Sequence, residues 1–268
     1  MKYRWIRTWK NESLVHQMSG SLNGISKYFL TDRPGVRGGM MMNSGEKRSR
    51  NTYRNLAFCT LTLALTMLFG CSGSSPSRVE VTTNQGNFEI RLYDETIQYK
   101  KNFIKLAEEG FYDSLLFHRV IPDVIIQGGD PESRHAPKGK FLGRGNVDYT
   151  IAPDFRYVHT YGAVSGARLS NEVNPRKESS GSQFFIVVGH PVTDAELDQI
   201  EQERGFTYTP EQRRLYKLVG GIPQFDKEYS VFGEVTEGMD IVKKISRLAR
   251  DANDRPVEDV IMMMKTLD

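Results

Sequence analysis

Phe117-His118-Arg119-Val120-Ile121-Pro122 runs on through Val124 and Ile125 to Gln127-Gly128-Gly129-Asp130, and the reading of this stretch decides the fold. Phe117–Ile121 and Val124–Gln127 are rich in β-branched residues and predict strands. Upstream, Arg78–Thr83 and Phe88–Tyr93 alternate apolar and polar residues about Asn84-Gln85-Gly86-Asn87, which predicts a β-hairpin. Downstream, Gly162–Gly166, Ser182–Val188, Ser230–Val235 and Val260–Lys265 predict further strands. Two stretches have helical spacing instead. One spans Thr96–Glu109, with Gly110 as its stop. The other spans Met239–Ala249, with Ile241, Val242, Ile245 and Leu248 on one stripe. Many short strands with only two helices in the core pattern predict a mainly β barrel.

The bulk composition is that of a globular protein. Apolar residues make up 38% and charged residues 26% of the 268 positions. The formal charge of +3 is unevenly spread. The first 70 residues carry 11 Lys/Arg against 3 Asp/Glu, which leaves 25 against 30 in the remainder. A mildly acidic body without a Lys/Arg run argues against nucleic acid as a partner. The two cysteines, Cys59 and Cys71, precede the predicted domain, so neither a disulfide framework nor a cysteine metal site is expected.

The N-terminal region reads as an address. Lys47, Arg48, Arg50 and Arg54 precede the apolar run Asn55–Phe69. That run is shorter than the roughly 20 apolar residues of a membrane span. It ends in Leu68-Phe69-Gly70-Cys71 and resembles a bacterial lipoprotein signal over residues 42–70. The resemblance implies cleavage before Cys71, lipid on that cysteine, attachment to the bacterial envelope with the domain in the periplasm, and a tether over 71–77. Residues 1–41 fit no signal and are expected to be untranslated or disordered, with translation starting near Met42.

Between Gly189 and Pro223 the strand pattern is interrupted. Thr193 with Glu196, and Thr209-Pro210 with Gln212, are capping signatures. They predict helices over Asp194–Arg204 and Pro210–Val219. The segment is expected either to be a surface excursion or to form a lid or partner surface beside a groove.

Three segments in this order and spacing resemble the cyclophilin family of peptidyl-prolyl cis/trans isomerases: Phe117–Asp130, Gly181-Ser182-Gln183-Phe184-Phe185-Ile186 and Val231-Phe232-Gly233-Glu234-Val235. The resemblance spans 78–268 and implies a closed antiparallel eight-stranded barrel capped by two helices, here with the 189–223 insertion. It implies Arg119 as the catalytic donor, with Phe117 and His118 leading into it. Gln127 would orient the arginine and touch the substrate backbone. Phe185 would floor the proline pocket, Gln183 would contact substrate, and Ala167 and Arg168 would pair with the peptide. Val124, Ile125, Gln224, Phe225 and Tyr229 would complete the groove wall. The partners implied are proline-containing unfolded or partly folded polypeptides, bound by a monomer that uses no cofactor.

The residue types suit that chemistry. An X-Pro amide rotates slowly because its C–N bond has double-bond character. The twisted amide nitrogen can accept a hydrogen bond, and a planar, permanently charged guanidinium is a suitable donor. No proton is abstracted, so His118 is not needed as a base. A metal reading through His118, Asp130 and His135 exists only on paper, and no metal is expected. The sequence departs from the family at five positions. Val124 replaces an aromatic wall and Ile125 a methionine. Phe225 stands at a position commonly leucine, Gln224 where many members carry the tryptophan that binds cyclosporin, and Tyr229 where histidine is common. The loss at Val124 implies proline-ring binding weaker by about 1–2 kcal/mol and poor cyclosporin affinity. The alternative is a catalytically weak chaperone or peptide-binding module.

Overall fold

A computed structural model describes residues 77–267. The expected leader, Cys71 and the tether as far as Pro76 lie outside the described residues. The chain opens with the expected hairpin, β1 (Arg78–Thr83) and β2 (Gly86–Leu92). Gly86 sits at φ 134°, a conformation open to glycine, and its carbonyl accepts from Thr83 Oγ1 at 2.6 Å. α1 (Ile97–Glu108) follows, burying Phe103, Ile104 and Leu106. Next come β3 (Leu115–Leu116), β4 (Arg119–Ile121) and β5 (Ile125–Gly128). The remaining elements are β6 (Thr150–Ile151), β7 (Ala163–Gly166), β8 (Ser179–Ser180), β9 (Phe184–Val187), α2 (Asp194–Arg204), α3 (Pro210–Val219), β10 (Val231–Glu237), α4 (Met239–Ser246) and β11 (Ile261–Leu267).

Nine strands form one antiparallel sheet in the order β3-β11-β1-β2-β10-β7-β9-β5-β4, and β6 pairs with β8 separately. The sequence predicts one strand over Phe117–Ile121. The structure keeps only Arg119–Ile121 of it, as β4 at one edge of the sheet; Phe117-His118 lie outside the ladder, between β4 and β3 at the other edge. The shortening has a packing cause, since Phe117 is 1% and His118 3% exposed, both drawn inward at the same point. Nine flat strands would span about 38 Å, yet the edges are joined by residues that reach at most about 11 Å. The sheet must therefore curl strongly. Phe117 N–H donates to Val260 O at 2.9 Å and Val120 N–H to Asp254 O at 2.8 Å, so one segment serves both edges. No β3–β4 ladder is present among the described residues, so the ladder is nine strands in a line rather than a closed ring of eight.

Strand alternation separates two apolar layers. Val120, Ile126, Val164 and Ile186 are fully buried and join Phe184 and Phe232 in the interior core. Ile125, Ala163, Phe185, Val187 and Val231 point to the opposite face and form a second cluster with Ile222 and Ala167. The two predicted insertion helices form with the predicted bounds. Thr193 Oγ1 accepts from Glu196 N–H, and Thr209 with Gln212 forms a full capping box. Their own cluster is Val192, Leu197, Ile200, Tyr208 and Tyr216.

Phe184 meets Phe103, Tyr112 and Phe117 edge-on at 5.3, 5.8 and 6.0 Å. Phe184→Ala is expected to lower stability by about 3–5 kcal/mol in a urea titration. A loss below about 1 kcal/mol would show that this interior contact is not what holds the sheet to α1.

Candidate functional site

The three sequence segments meet in a single row across the sheet. Arg119 faces Gln127, Gln127 faces Phe185, Phe185 faces Ser165, and Ser165 faces Val231. Residues opposed across antiparallel ladders share a face. The row therefore lies on the face away from the interior core. Arg119 and Phe185 are two strand spacings apart, about 10 Å, a span that accommodates a prolyl residue.

A chain of side-chain hydrogen bonds runs through this row. Arg119 Nη1 donates to Gln127 Oε1 at 3.5 Å, and Gln127 Nε2 donates to Gln183 Oε1 at 3.1 Å. Gln183 Nε2 is bound in turn by Gly145 O. Gln183 is 6% exposed with both amide ends engaged, so it stands behind Gln127 rather than on the open surface. Asp254 Oδ2 lies 3.6 Å from Arg119 Nε, which leaves the other side of the guanidinium open, at 41% exposure.

Phe185 is the buried centre of an aromatic cluster. Its ring meets Phe225 at 5.5 Å and Tyr229 at 5.3 Å, both edge-on, and those two rings meet at 5.1 Å. Val124, Ile121 and Tyr157 pack on the same cluster, and Ile125 is buried within it. The aromatic surface absent at Val124 is thus present at Phe225 and Tyr229. Three expected contact residues are committed elsewhere. Ala167 gives its N–H to Gln183 O and its carbonyl to Ser180 N–H. Arg168 lies with its guanidinium 4.9 Å over the Tyr229 ring and 2.7 Å from Glu228, and only 2% of its side chain is exposed. Gln224 turns to the insertion, where its Nε2 donates to Glu196 Oε1 at 2.8 Å.

Beneath Phe185 lies a buried network. The His159 ring stacks on Phe185 at 6.1 Å with an interplanar angle of 13°. Its Nδ1 lies 2.7 Å from Asp226 Oδ1 and its Nε2 3.1 Å from Ser165 Oγ. Asp226 Oδ2 accepts from Tyr208 Oη at 2.8 Å and Tyr216 Oη at 2.5 Å. Burial and the Asp226 charge push both tyrosine hydroxyls far up, so they stay protonated donors. Ser165, His159 and Asp226 have the order of a hydrolase relay. All three are at most 2% exposed and Ser165 Oγ donates to Ser230 O at 2.9 Å, so the group has no access to an acyl substrate. An open cleft of about 480 Å³, lined by Tyr161, His190, Lys217 and Arg247, contains none of the row residues.

Sequence reasoning missed Asp254, His159 and Asp226. No local spacing marks them; only the folded chain brings them to Arg119 and Phe185. The paper metal reading also dissolves, because Asp130 is occupied as a loop cap. Its carboxylate takes Glu132 N–H at 2.8 Å and the N–H groups of Gly143 and Gly145.

His118 is buried beside Arg119, and burial pushes its imidazole down to about 4 against the opposing pull of Asp130. As pH falls below the ordinary histidine value, the unfolded chain takes up a proton that the folded chain refuses. Stability is therefore intact above pH ~6.5 and falls between there and pH ~4, by about 3 kcal/mol from this group. Urea titrations across that range should show His118→Leu losing correspondingly less than wild type; equal losses would refute a buried neutral imidazole.

The chain is similar to known proteins. Residues 78–266 match the family model described as "Cyclophilin type peptidyl-prolyl cis-trans isomerase/CLD". A peptidyl-prolyl cis-trans isomerase of Schizosaccharomyces pombe is 30% identical over 183 residues, covering 68% of this chain and 93% of its own length. One from Arabidopsis thaliana is 28% identical over 196 residues, covering 72% and 96%. A crystal structure of a Cryptosporidium parvum cyclophilin type peptidyl-prolyl cis-trans isomerase, in the presence of the dipeptide Ala-Pro, aligns with a TM-score of 0.49 at 23% identity, covering 71% of this chain and 99% of its own. By its family match, and with Arg119, Gln127 and Phe185 in one row above an aromatic slot, this chain belongs to the cyclophilin-type peptidyl-prolyl cis-trans isomerases.

Proposed function

We propose that the chain catalyses rotation about X-Pro bonds of exported polypeptides and so assists their folding, with Arg119 donating to the twisted amide nitrogen. The observation that carries this reading is the register row, which sets an open guanidinium about two strand spacings from an apolar floor. The proline ring enters the slot of Phe185, Phe225 and Tyr229, while Gln127 holds Arg119 and meets the peptide backbone. As the amide twists, its nitrogen lone pair leaves conjugation and becomes an acceptor. A donor that engages only then binds the transition state more strongly than the ground state, and this difference is what accelerates the step.

The uncatalysed barrier is about 18–20 kcal/mol, and shortening tens of seconds to milliseconds takes roughly 5–6 kcal/mol. One preorganised charged donor supplies about 3–4 kcal/mol. Desolvation and positioning in the slot supply the rest. The His118 imidazole, neutral and buried, takes no proton.

The envelope setting and sheet closure belong to the same proposal. The chain acts as a monomer held by lipid on Cys71, supported by the basic segment, the short apolar run and Leu68-Phe69-Gly70-Cys71. The gap between the two edges of the curled sheet is bridged by the 254–260 segment, which bonds to both.

In an NMR exchange assay on a short X-Pro peptide, Arg119→Ala is expected to lower kcat/KM by about 10²–10³-fold, mainly through kcat. Unchanged turnover by a folded variant would remove Arg119 from the chemistry. No turnover by wild type would leave a binding module. In bacterial cells, Cys71→Ser is expected to abolish incorporation of a labelled fatty acid and to release the domain from membranes. Persistent labelling would refute this lipid site.

A further inference from the structure

The proposed slot is bordered by concentrated positive charge. Arg168 Nη2 lies 2.7 Å, Lys177 Nζ 2.9 Å and Arg204 Nη1 2.6 Å from the Glu228 carboxylate. Among the described residues these three cations converge on that one carboxylate. Neighbouring Lys227 is exposed and bonds to Phe155 O at 3.1 Å, whereas Arg176 is matched by Glu178 at 3.1 Å.

The cluster is joined to the slot. Arg168 covers Tyr229, a slot ring, at 4.9 Å, and Arg204 Nη2 donates to Gln224 O at 3.3 Å, next to Phe225. Lys177 stands in the 170–178 loop, and Arg204 ends α2 of the insertion. Lys177 and Lys227 both hold left-handed backbone, at φ 55° and 62°, a conformation costly for residues with side chains and often kept at functional positions. The Glu228 side chain is only 16% exposed, so repulsion among the cations is incompletely screened. Burial would raise the Glu228 carboxyl, but Lys177, Arg204 and Arg168 outweigh it and hold it below the usual value.

Like charges gathered around a single carboxylate are stabilised by a second anion. We infer that this rim is a selectivity site, and that the slot favours X-Pro segments with an aspartate or glutamate flanking the proline, recognised by Lys177 and Arg204. The inference rests on the isomerase reading and names its substrate class. Arg168 is too buried to do more than fix the Tyr229 wall and the local field, while Lys177 and Arg204 are exposed by 30% and 33% of their side chains.

The test is an exchange assay on matched peptides that carry Glu, Gln or Lys immediately before or after the proline. At low salt, Glu in at least one of these positions should raise kcat/KM about fivefold over Gln, through KM, with Lys below Gln. The spread should collapse at about 0.5 M NaCl and in the K177Q/R204Q variant. Equal acceleration of all the peptides at low salt would overturn the rim proposal and leave the isomerase standing. Acceleration of none would overturn the isomerase reading and the rim with it.

Discussion

In an antiparallel sheet, residues opposed across a ladder share a face, and a slip of one position exchanges the faces. This constraint sets the whole site. Across β4, β5, β9 and β7 the row Arg119–Gln127–Phe185–Ser165 lies on one face. The adjacent row Val120–Ile126–Ile186–Val164 lies on the other and is fully buried. The interior row fixes the register because it cannot be exposed without losing its burial. The functional row inherits its alignment from that apolar requirement, although Arg119, Gln127 and Ser165 in it are polar.

Asp226 is the second fixed point. Burying a carboxylate is costly unless donors surround it. Here His159 N–H at 2.9 Å, the His159 ring, Tyr208 and Tyr216 all engage it. The tyrosines come from the insertion and the histidine stacks on Phe185. The insertion is thereby tied to the pocket floor through hydrogen bonds, and not merely attached to the surface. Gly221, at φ 150°, allows the return, since a Cβ there would lie 2.3 Å from His159 O.

The groove wall consequently differs from what the compact family pattern implies. Gln224 and Arg168 face the insertion and the Glu228 cluster. Phe225 and Tyr229 supply the aromatic surface that Val124 does not. The insertion covers one flank of the site while leaving the Arg119 guanidinium open. It contributes Arg204 to the cations around Glu228.

From the sequence alone, periodicity located most strands to within a few residues, and capping signatures placed both insertion helices with their observed ends. Those signals are local: a Thr hydroxyl caps a helix three residues away, and alternation shows within six residues. The resemblance at Phe117–Asp130, Gly181–Ile186 and Val231–Val235 likewise identified the row residues. Tertiary structure decided the rest. It shortened the 117–121 strand to Arg119–Ile121, because Phe117 and His118 are drawn inward where the chain passes from one edge of the sheet to the other. It also brought Asp254 to Arg119, Asp226 to His159, and Lys177 and Arg204 to Glu228. These pairings join segments far apart in the chain, and carboxylates and cations on the surface look alike until folding determines which of them are buried together.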